Sequence, residues 1–450
     1  MEKSLKHIPR RKMMGLGIPA LIGGTSTGSA MGADRAVGGD GAQAGSGPAW
    51  PERRKVIEKE WLKILGDFPT EIPDPEVRMR EVPWEEEGIT RYHVSYLSEP
   101  DDRVTAWLLV PDEAKEKPTP AIICIHSTTW GSGKDQVIGL SGKRPVDPAP
   151  DPQIGVDYGL THARHGFITL SIDVITDGER IEPKRRVMDT RVFYKKHPEW
   201  SVIGKTIWDC SRGVDFLQTL DFVDPDQIGV TGLSLGGHMA IFVAAFEPRI
   251  TATVANGGVL DMHRHTDAFS RVPKDDNWEP WEEGVDEPTN SVKLEKRFGF
   301  KTNSGPFIYL KNFRKYVDDQ SLPLPVNIDD LMLLVAPRPM LVISTEQEFY
   351  RHKFFEKAPK VLDLYINWKD LDGLPSVLTA RKERLGWEDT VDYYESNHNI
   401  GEEKLIRQFA EFGAGDCFSW FSFPGRHGLP GVARRMSFAW FDRWLGRTLY

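Results

Sequence analysis

The amino-acid sequence predicts an α/β protein: a mostly parallel sheet of eight strands, helices on both faces, and lid-like insertions at the strand ends. Three observations lead there. From Pro120 onward, short continuous apolar runs alternate with amphipathic helical patterns, the signature of a parallel sheet buried on both faces. Ahead of them, two alternating runs joined by a tight turn read as an antiparallel hairpin. One turn, Gly232-Leu233-Ser234-Leu235-Gly236, lies between an apolar strand and a helix, where a serine can be lifted clear of a sheet.

Taken in order, residues 1–33 have a basic start, an apolar stretch from Met13 to Gly24, and small residues at Ala30 and Ala33. This is the layout of an export signal, and the Arg10-Arg11 pair is of the twin-arginine kind, although Pro9 and Met13 depart from that pattern. The expected location is periplasmic or extracellular. Residues 34–50, rich in Gly and Ala, read as a linker, and residues 51–450 as one catalytic domain. PERRKVIEKEWLKILGDFP is a short amphipathic helix ended by Gly66 and Pro69. ITRYHVSYL and DRVTAWLLV form the hairpin. AIICIH, FITLSID, QIGVTG, TATVANGG, PMLVIS and CFSWFSF supply six further strands. Helical patterns fall between them, notably SVIGKTIWDCSRGVDFLQTL, GGHMAIFVAAF, NIDDLMLLVA and GVARRMSFAWFDRWLGRTL. Residues 262–325 and 346–416 break the alternation and are expected to build pocket walls or lids.

Composition limits the partners. A net charge of −9 argues against a nucleic-acid ligand, and removal of the basic leader would leave the rest more acidic still. No stretch approaches the roughly 18 apolar residues that a membrane span requires. The three cysteines, Cys124, Cys210 and Cys417, sit in apolar segments without metal-like spacing and read as buried thiols. His263 and His265 read as solvated side chains rather than metal ligands.

The chemistry centres on Ser234. Glycines at 232 and 236 are needed because a side chain at either place would collide where strand and helix meet, and the helix that follows directs amide groups toward a developing oxyanion. A serine hydroxyl needs a base, and of twelve histidines His427 stands between the last strand and the last helix, in SFPGRHGLPG. His238, four residues past the serine, is expected to pack rather than react.

With CIHSTT, HGFITLSIDVITDGER, DPDQIGVTGLSLGGHMA, APRPMLVIS and FPGRHGLPGVARRMSFAWFDRWL, the chain from about residue 56 onward resembles the α/β-hydrolase superfamily. Within it, the resemblance is to the dienelactone-hydrolase-like and acetyl-xylan-esterase-like serine esterases. It implies a triad of Ser234, His427 and a carboxylate following the PMLVIS strand, where relatives carry Asp. This chain has Ser-Thr-Glu-Gln-Glu there: Glu348 fits the spacing best, Glu346 is second, and Asp261 after the preceding strand is a third option. The oxyanion hole is expected from the amides of Leu235 and Thr128, with Ser127 standing where relatives have Gly.

Trp130, Trp278 and Trp281 are candidate stacking surfaces for sugar rings, or else lid packing. Arg180 is a candidate grip for an acidic substrate, or a brace paired with Glu179 or Asp177. The function expected is an exported serine carboxylic-ester hydrolase working through an acyl-enzyme, without metal or cofactor, on a small-molecule or polysaccharide ester such as acetylated xylan. Two alternatives share the fold. A serine peptidase of the prolyl-oligopeptidase type normally carries a propeller domain, for which the residues ahead of the first strand are too few. A non-catalytic binding protein would have little use for both Ser234 and His427.

Overall fold

The structure is a computed structural model that describes residues 50–129, 131–140, 155–183, 187–259, 309–313, 315–316, 319, 321–345, 404–423 and 428–446. The first helix, α1 (Trp50–Leu65), buries Ile57, Trp61, Ile64 and Leu65, positions spaced to share one face. The strands are β1 (Arg78–Glu81), β2 (Ile89–Glu99), β3 (Asp102–Pro111), β4 (Thr119–Ile125), β5 (Ile168–Ile172), β6 (Val223–Leu233), β7 (Ile250–Asn256), β8 (Met340–Thr345) and β9 (Phe418–Phe423). Between them run α2 (Lys134–Val137), α3 (Tyr158–Arg164), α4 (Arg191–Lys196), α5 (Val202–Leu217), α6 (Leu235–Phe246) and α7 (Ile328–Leu333). α8 (Gly431–Trp444) follows β9.

The strands form one sheet in the order β1-β2-β3-β5-β4-β6-β7-β8-β9. Pairings from β1 through β3 to β5 are antiparallel and all those from β5 to β9 are parallel. Alternation of side chains sorts the sheet into two cores. On one face Ile123, Ile125, Met340 and Val342 pack with α1, α5, α6 and α7; on the other Ile122, Cys124, Leu341 and Ile343 pack with Val137, Tyr158 and the Ala433 and Phe441 stripe of α8. α6 is buried along nearly its whole length, as its unbroken run of small and apolar residues requires.

The sheet has nine strands rather than eight. β1, Arg-Met-Arg-Glu, is mostly exposed and pairs with β2 at the sheet edge, with Met79 alone of its side chains half-buried against the core. A four-residue edge strand with one half-buried side chain leaves no hydrophobic period to read, and its charges discourage pairing with another chain. Cys124 and Cys210 are buried thiols; Cys417 is only half-buried, because it lies in the turn entering β9 and not inside the strand. No helix among the described residues is long and apolar enough to cross a membrane.

Sheet topology positions the site. From β4 the chain steps to β5 on one side and later to β6 on the other, so the order reverses at β4. Such reversals open a crevice at the carboxyl ends of the strands, where α/β proteins bind ligands.

Candidate active site

Ser234 is at that edge, between the end of β6 and the first residue of α6. Its backbone adopts φ 58°, ψ −118°, a left-handed conformation that costs a non-glycine residue about 1–3 kcal/mol and persists only where its surroundings enforce it. The enforcement is visible. The Ser234 N–H donates to the Asn256 carbonyl at 2.8 Å, and the Asn256 amide donates to the Gly232 carbonyl at 3.0 Å, so the end of β7 holds both sides of the bend. The His238 N–H donates to the Ser234 carbonyl at 2.9 Å, closing the first turn of α6.

The two motif glycines are required by close approach. A Cβ on Gly232 would lie 2.3 Å from Gly236, and one on Gly236 would lie 1.9 Å from the Ile125 carbonyl oxygen and 2.7 Å from that of His126. Gly236 therefore lets the elbow press against the start of the loop that leaves β4. Gly236→Ala is expected to lower stability by about 1–3 kcal/mol and to reduce turnover by displacing that loop. Wild-type denaturation and kinetics in this variant would show that the contact does not matter.

The loop after β4 has its own scaffold. The Val174 N–H donates to His126 Nε2 at 3.0 Å, which makes Nε2 the acceptor and leaves the proton on Nδ1, where it is donated to the Ser127 carbonyl at 2.7 Å. Ser127 Oγ donates to Gln136 at 2.7 Å, and Thr129 Oγ1 donates to Asp177 at 2.6 Å. Lys134, fully buried, gives its backbone N–H and its ammonium to Asp173 at 2.8 and 2.7 Å, and its ammonium also to Glu179 at 2.8 Å. Burial pushes the Asp177 carboxyl up to about 6, against the opposing hydrogen bonds from Thr129 and the Gly178 N–H. By contrast, the His93 hydrogen bond and the Lys134 charge hold Glu179 down at about 2.

Among the described residues from His126 to Lys134, Thr128 is half-buried and the others are buried. Its N–H and that of Leu235, the first residue of α6, find no backbone or side-chain acceptor among the described residues. His238 is a packing residue: its Nδ1–H donates to the Gly258 carbonyl at 2.7 Å, and burial pushes its imidazole down to about 4, so it is neutral at pH 7.

Parallel pairing aligns Leu233, Asn256, Ile343 and Phe421 in one row across β6 to β9. The chain thus leaves β7, β8 and β9 at the same sheet edge that carries Ser234. His427, Glu346, Glu348, Asp261, Trp130, Trp278, Trp281, His263 and His265 lie outside the described residues.

Arg180 does not face an open site. Its guanidinium is 4% exposed and donates to Asp209 and Asp102, each at 2.6 Å, and to the Asp173 carbonyl at 3.1 Å. It braces the loop as the second sequence reading held, but its partners are neither Glu179 nor Asp177. Asp209 is on α5 and Asp102 at the start of β3, distances in sequence that no local pattern reports. The same cluster contains buried Lys205, whose ammonium bonds Ser98, Asp209, Asp102 and Glu99.

Removing one member strands the others in a poorly solvated place, so Asp209→Ala is expected to cost about 3–5 kcal/mol, while Lys205→Met with Asp209→Leu recovers most of it. Urea midpoints at unchanged slope measure both, and a loss below about 1 kcal/mol for the single variant would discount the cluster. The pH dependence has a definite sign. Burial opposes ionisation of Glu99, but His197 and Lys205 outweigh it and hold the carboxyl at about 2; Arg180 and Lys205 likewise lower Asp102. Their stabilisation is present above the ordinary carboxylate range near pH 4 and is lost as pH falls toward 2.

A doubly flanked parallel sheet with an antiparallel start, a strained serine at the turn from strand to helix, and a braced loop beside it define an α/β-hydrolase. The chain belongs to the Abhydrolase family, whose profile matches residues 50–277. YtaP of Bacillus subtilis (strain 168), which carries the name of a hydrolase, is 27% identical over 219 residues, 47% of this chain and 65% of YtaP. The chain spans about a third to two thirds of the length of the curated relatives it matches. Among solved structures, a glucuronoyl esterase from Solibacter usitatus superposes with a TM-score of 0.53 at 16% identity, covering 87% of this chain and 91% of that one. A Bacteroides fragilis protein named as an acetyl xylan esterase does so with a TM-score of 0.50 at 15% identity, covering 82% of this chain and 74% of the other. These two share the fold.

Sequence reasoning missed Thr129, Asp173 and Lys134 as site-forming residues. Only the acidic DVITDGER stretch signalled that the loop after β5 matters.

Proposed function

We propose that this chain is an exported serine carboxylic-ester hydrolase that acts on carbohydrate esters. The observation that carries the reading is Ser234, held in a left-handed conformation at the sheet edge where the loop leaving β4 presses on the elbow, with the Leu235 and Thr128 N–H groups finding no acceptor among the described residues. In the proposed reaction Ser234 Oγ attacks the ester carbonyl as His427 takes its proton. The carbonyl oxygen, now an anion, accepts from the Leu235 and Thr128 N–H groups, which are fixed before reaction and need no reorganisation to receive the charge. The tetrahedral intermediate collapses as His427 returns the proton to the leaving alcohol, and water then releases the acid by the same steps in reverse order of roles. Glu348, with Glu346 and Asp261 as alternatives, would keep the imidazole in the right tautomer and stabilise it when charged.

The carbohydrate assignment draws on the two fold neighbours, whose names are those of carbohydrate esterases, and on the sequence candidates Trp130, Trp278 and Trp281, a residue type whose flat apolar ring can stack on sugars. Export rests on the basic, Arg10-Arg11-containing start of the chain. Purified protein assayed on 4-nitrophenyl acetate, acetylated xylan, a methyl ester of glucuronic acid and an aminopeptidase substrate tests the reading. Hydrolysis of the esters is expected; release from the peptide substrate alone would replace it with the peptidase alternative, and no turnover at all would favour a binding protein.

A further inference from the structure

We propose that Thr129 and Asp177 are positioning residues for ester cleavage: by tying the loop after β4 to the loop after β5, they fix the direction of the Thr128 N–H. The inference rests on the serine-esterase reading and adds to it a pair of side chains that touch no substrate.

Thr129 immediately follows Thr128, so its backbone orientation sets that of the preceding peptide units. Its hydroxyl is used in both directions, donating to Asp177 Oδ2 at 2.6 Å and accepting from the Gly133 N–H at 2.8 Å, four residues on. The second Asp177 oxygen accepts from the Gly178 N–H at 2.8 Å. Thr129 and Asp177 are 1% and 2% exposed, out of reach of a ligand at the sheet edge.

Two further ties run between the same loops, Val174 N–H to His126 at one end and Lys134 to Asp173 at the other. The Thr129–Asp177 bond lies between them, next to Thr128, whose N–H finds no acceptor among the described residues. The loop also needs external fixing, because it passes through Gly131 at φ +110° and Gly133 at φ +49°, and a Cβ on Gly133 would lie 2.1 Å from Asp173 Oδ1. Glycines in such conformations supply no rigidity of their own. An oxyanion donor acts only when aimed within tenths of an ångström of the anion's position, and a misplacement near 1 Å costs on the order of 10²-fold in rate.

Burst kinetics of the full chain with 4-nitrophenyl acetate separate acylation from substrate affinity. Thr129→Val, which keeps shape and loses the hydroxyl, is expected to slow acylation by roughly 10- to 100-fold while leaving substrate half-saturation within about twofold. Thr129→Ser, which restores the hydroxyl, should return acylation to within about threefold of wild type. Labelling of Ser234 by a fluorophosphonate, read by intact mass, runs in parallel on wild type. A wild-type burst that Thr129→Val leaves untouched overturns the positioning role alone. A rate that falls together with affinity and the unfolding midpoint, and that Thr129→Ser does not restore, overturns it in favour of plain stability. A wild type with neither burst nor label overturns the serine-esterase reading and this inference with it.

Discussion

Ser234→Ala is expected to lower ester hydrolysis by a factor on the order of 10⁴ to 10⁶ while leaving the fold intact. The size follows from the proposed acyl-enzyme route: without the hydroxyl that route has no covalent path, and the proposed donors, the amides of Leu235 and Thr128, would assist only direct attack by water, which is worth the residual rate. Stability should hold, or rise slightly. The serine pays with φ 58° for its place in the bend, and alanine pays the same amount, so the strain does not distinguish them. Ser234→Gly is the informative companion. Glycine reaches that φ without penalty, and the strain it relieves exceeds its added freedom in the unfolded chain, so it should be inactive and also more stable than wild type by about 1 kcal/mol. Turnover by Ser234→Ala within tenfold of wild type, on any ester in the panel, would remove the serine from the mechanism.

Much of this site was legible from sequence because its central demand is local. A strand, a five-residue turn with glycines at fixed places and an apolar helix occupy neighbouring positions in the chain, and 223–246 reproduces that order. The six runs from AIICIH to CFSWFSF became β4 to β9 because strands buried on both faces must be apolar throughout. What was not legible is set by distance in sequence. Asp177 meets Thr129 across 48 residues, Arg180 meets Asp102 across 78, and Lys205 meets Ser98 across 107. Charged residues in a sequence look like surface residues, and nothing in Lys134 or Lys205 themselves marks the full burial that their carboxylate partners make tolerable. β1 escaped for the opposite reason: it buries too little to leave a pattern.

Glu348→Gln is expected to reduce kcat by roughly 10⁴-fold, with Glu346→Gln and Asp261→Asn each within about tenfold of wild type. Register is the argument for ranking them. Leu233, Asn256, Ile343 and Phe421 form one row, and neighbouring strands lie about 4.8 Å apart. β8 stands two places from β6, and β9 three. An imidazole supplied after β9 must cross back over β8 to reach Ser234, so an acid supplied after β8 meets it on the way, whereas one supplied after β7 starts nearer the serine than the base. Glu346 directly follows Thr345, the last residue of β8; Glu348 comes two residues later and has that much more chain with which to clear the sheet edge. The amide replacement keeps size and removes charge, so it also predicts a shift in the pH profile. A carboxylate beside the imidazole stabilises its protonated form, and the reaction needs the neutral form as base. Loss of the true acid therefore moves the acidic limb of the profile to lower pH, even as the plateau falls. A variant that loses rate without that movement has lost structure instead, and three variants that all keep their rate would place the orienting group elsewhere in the chain.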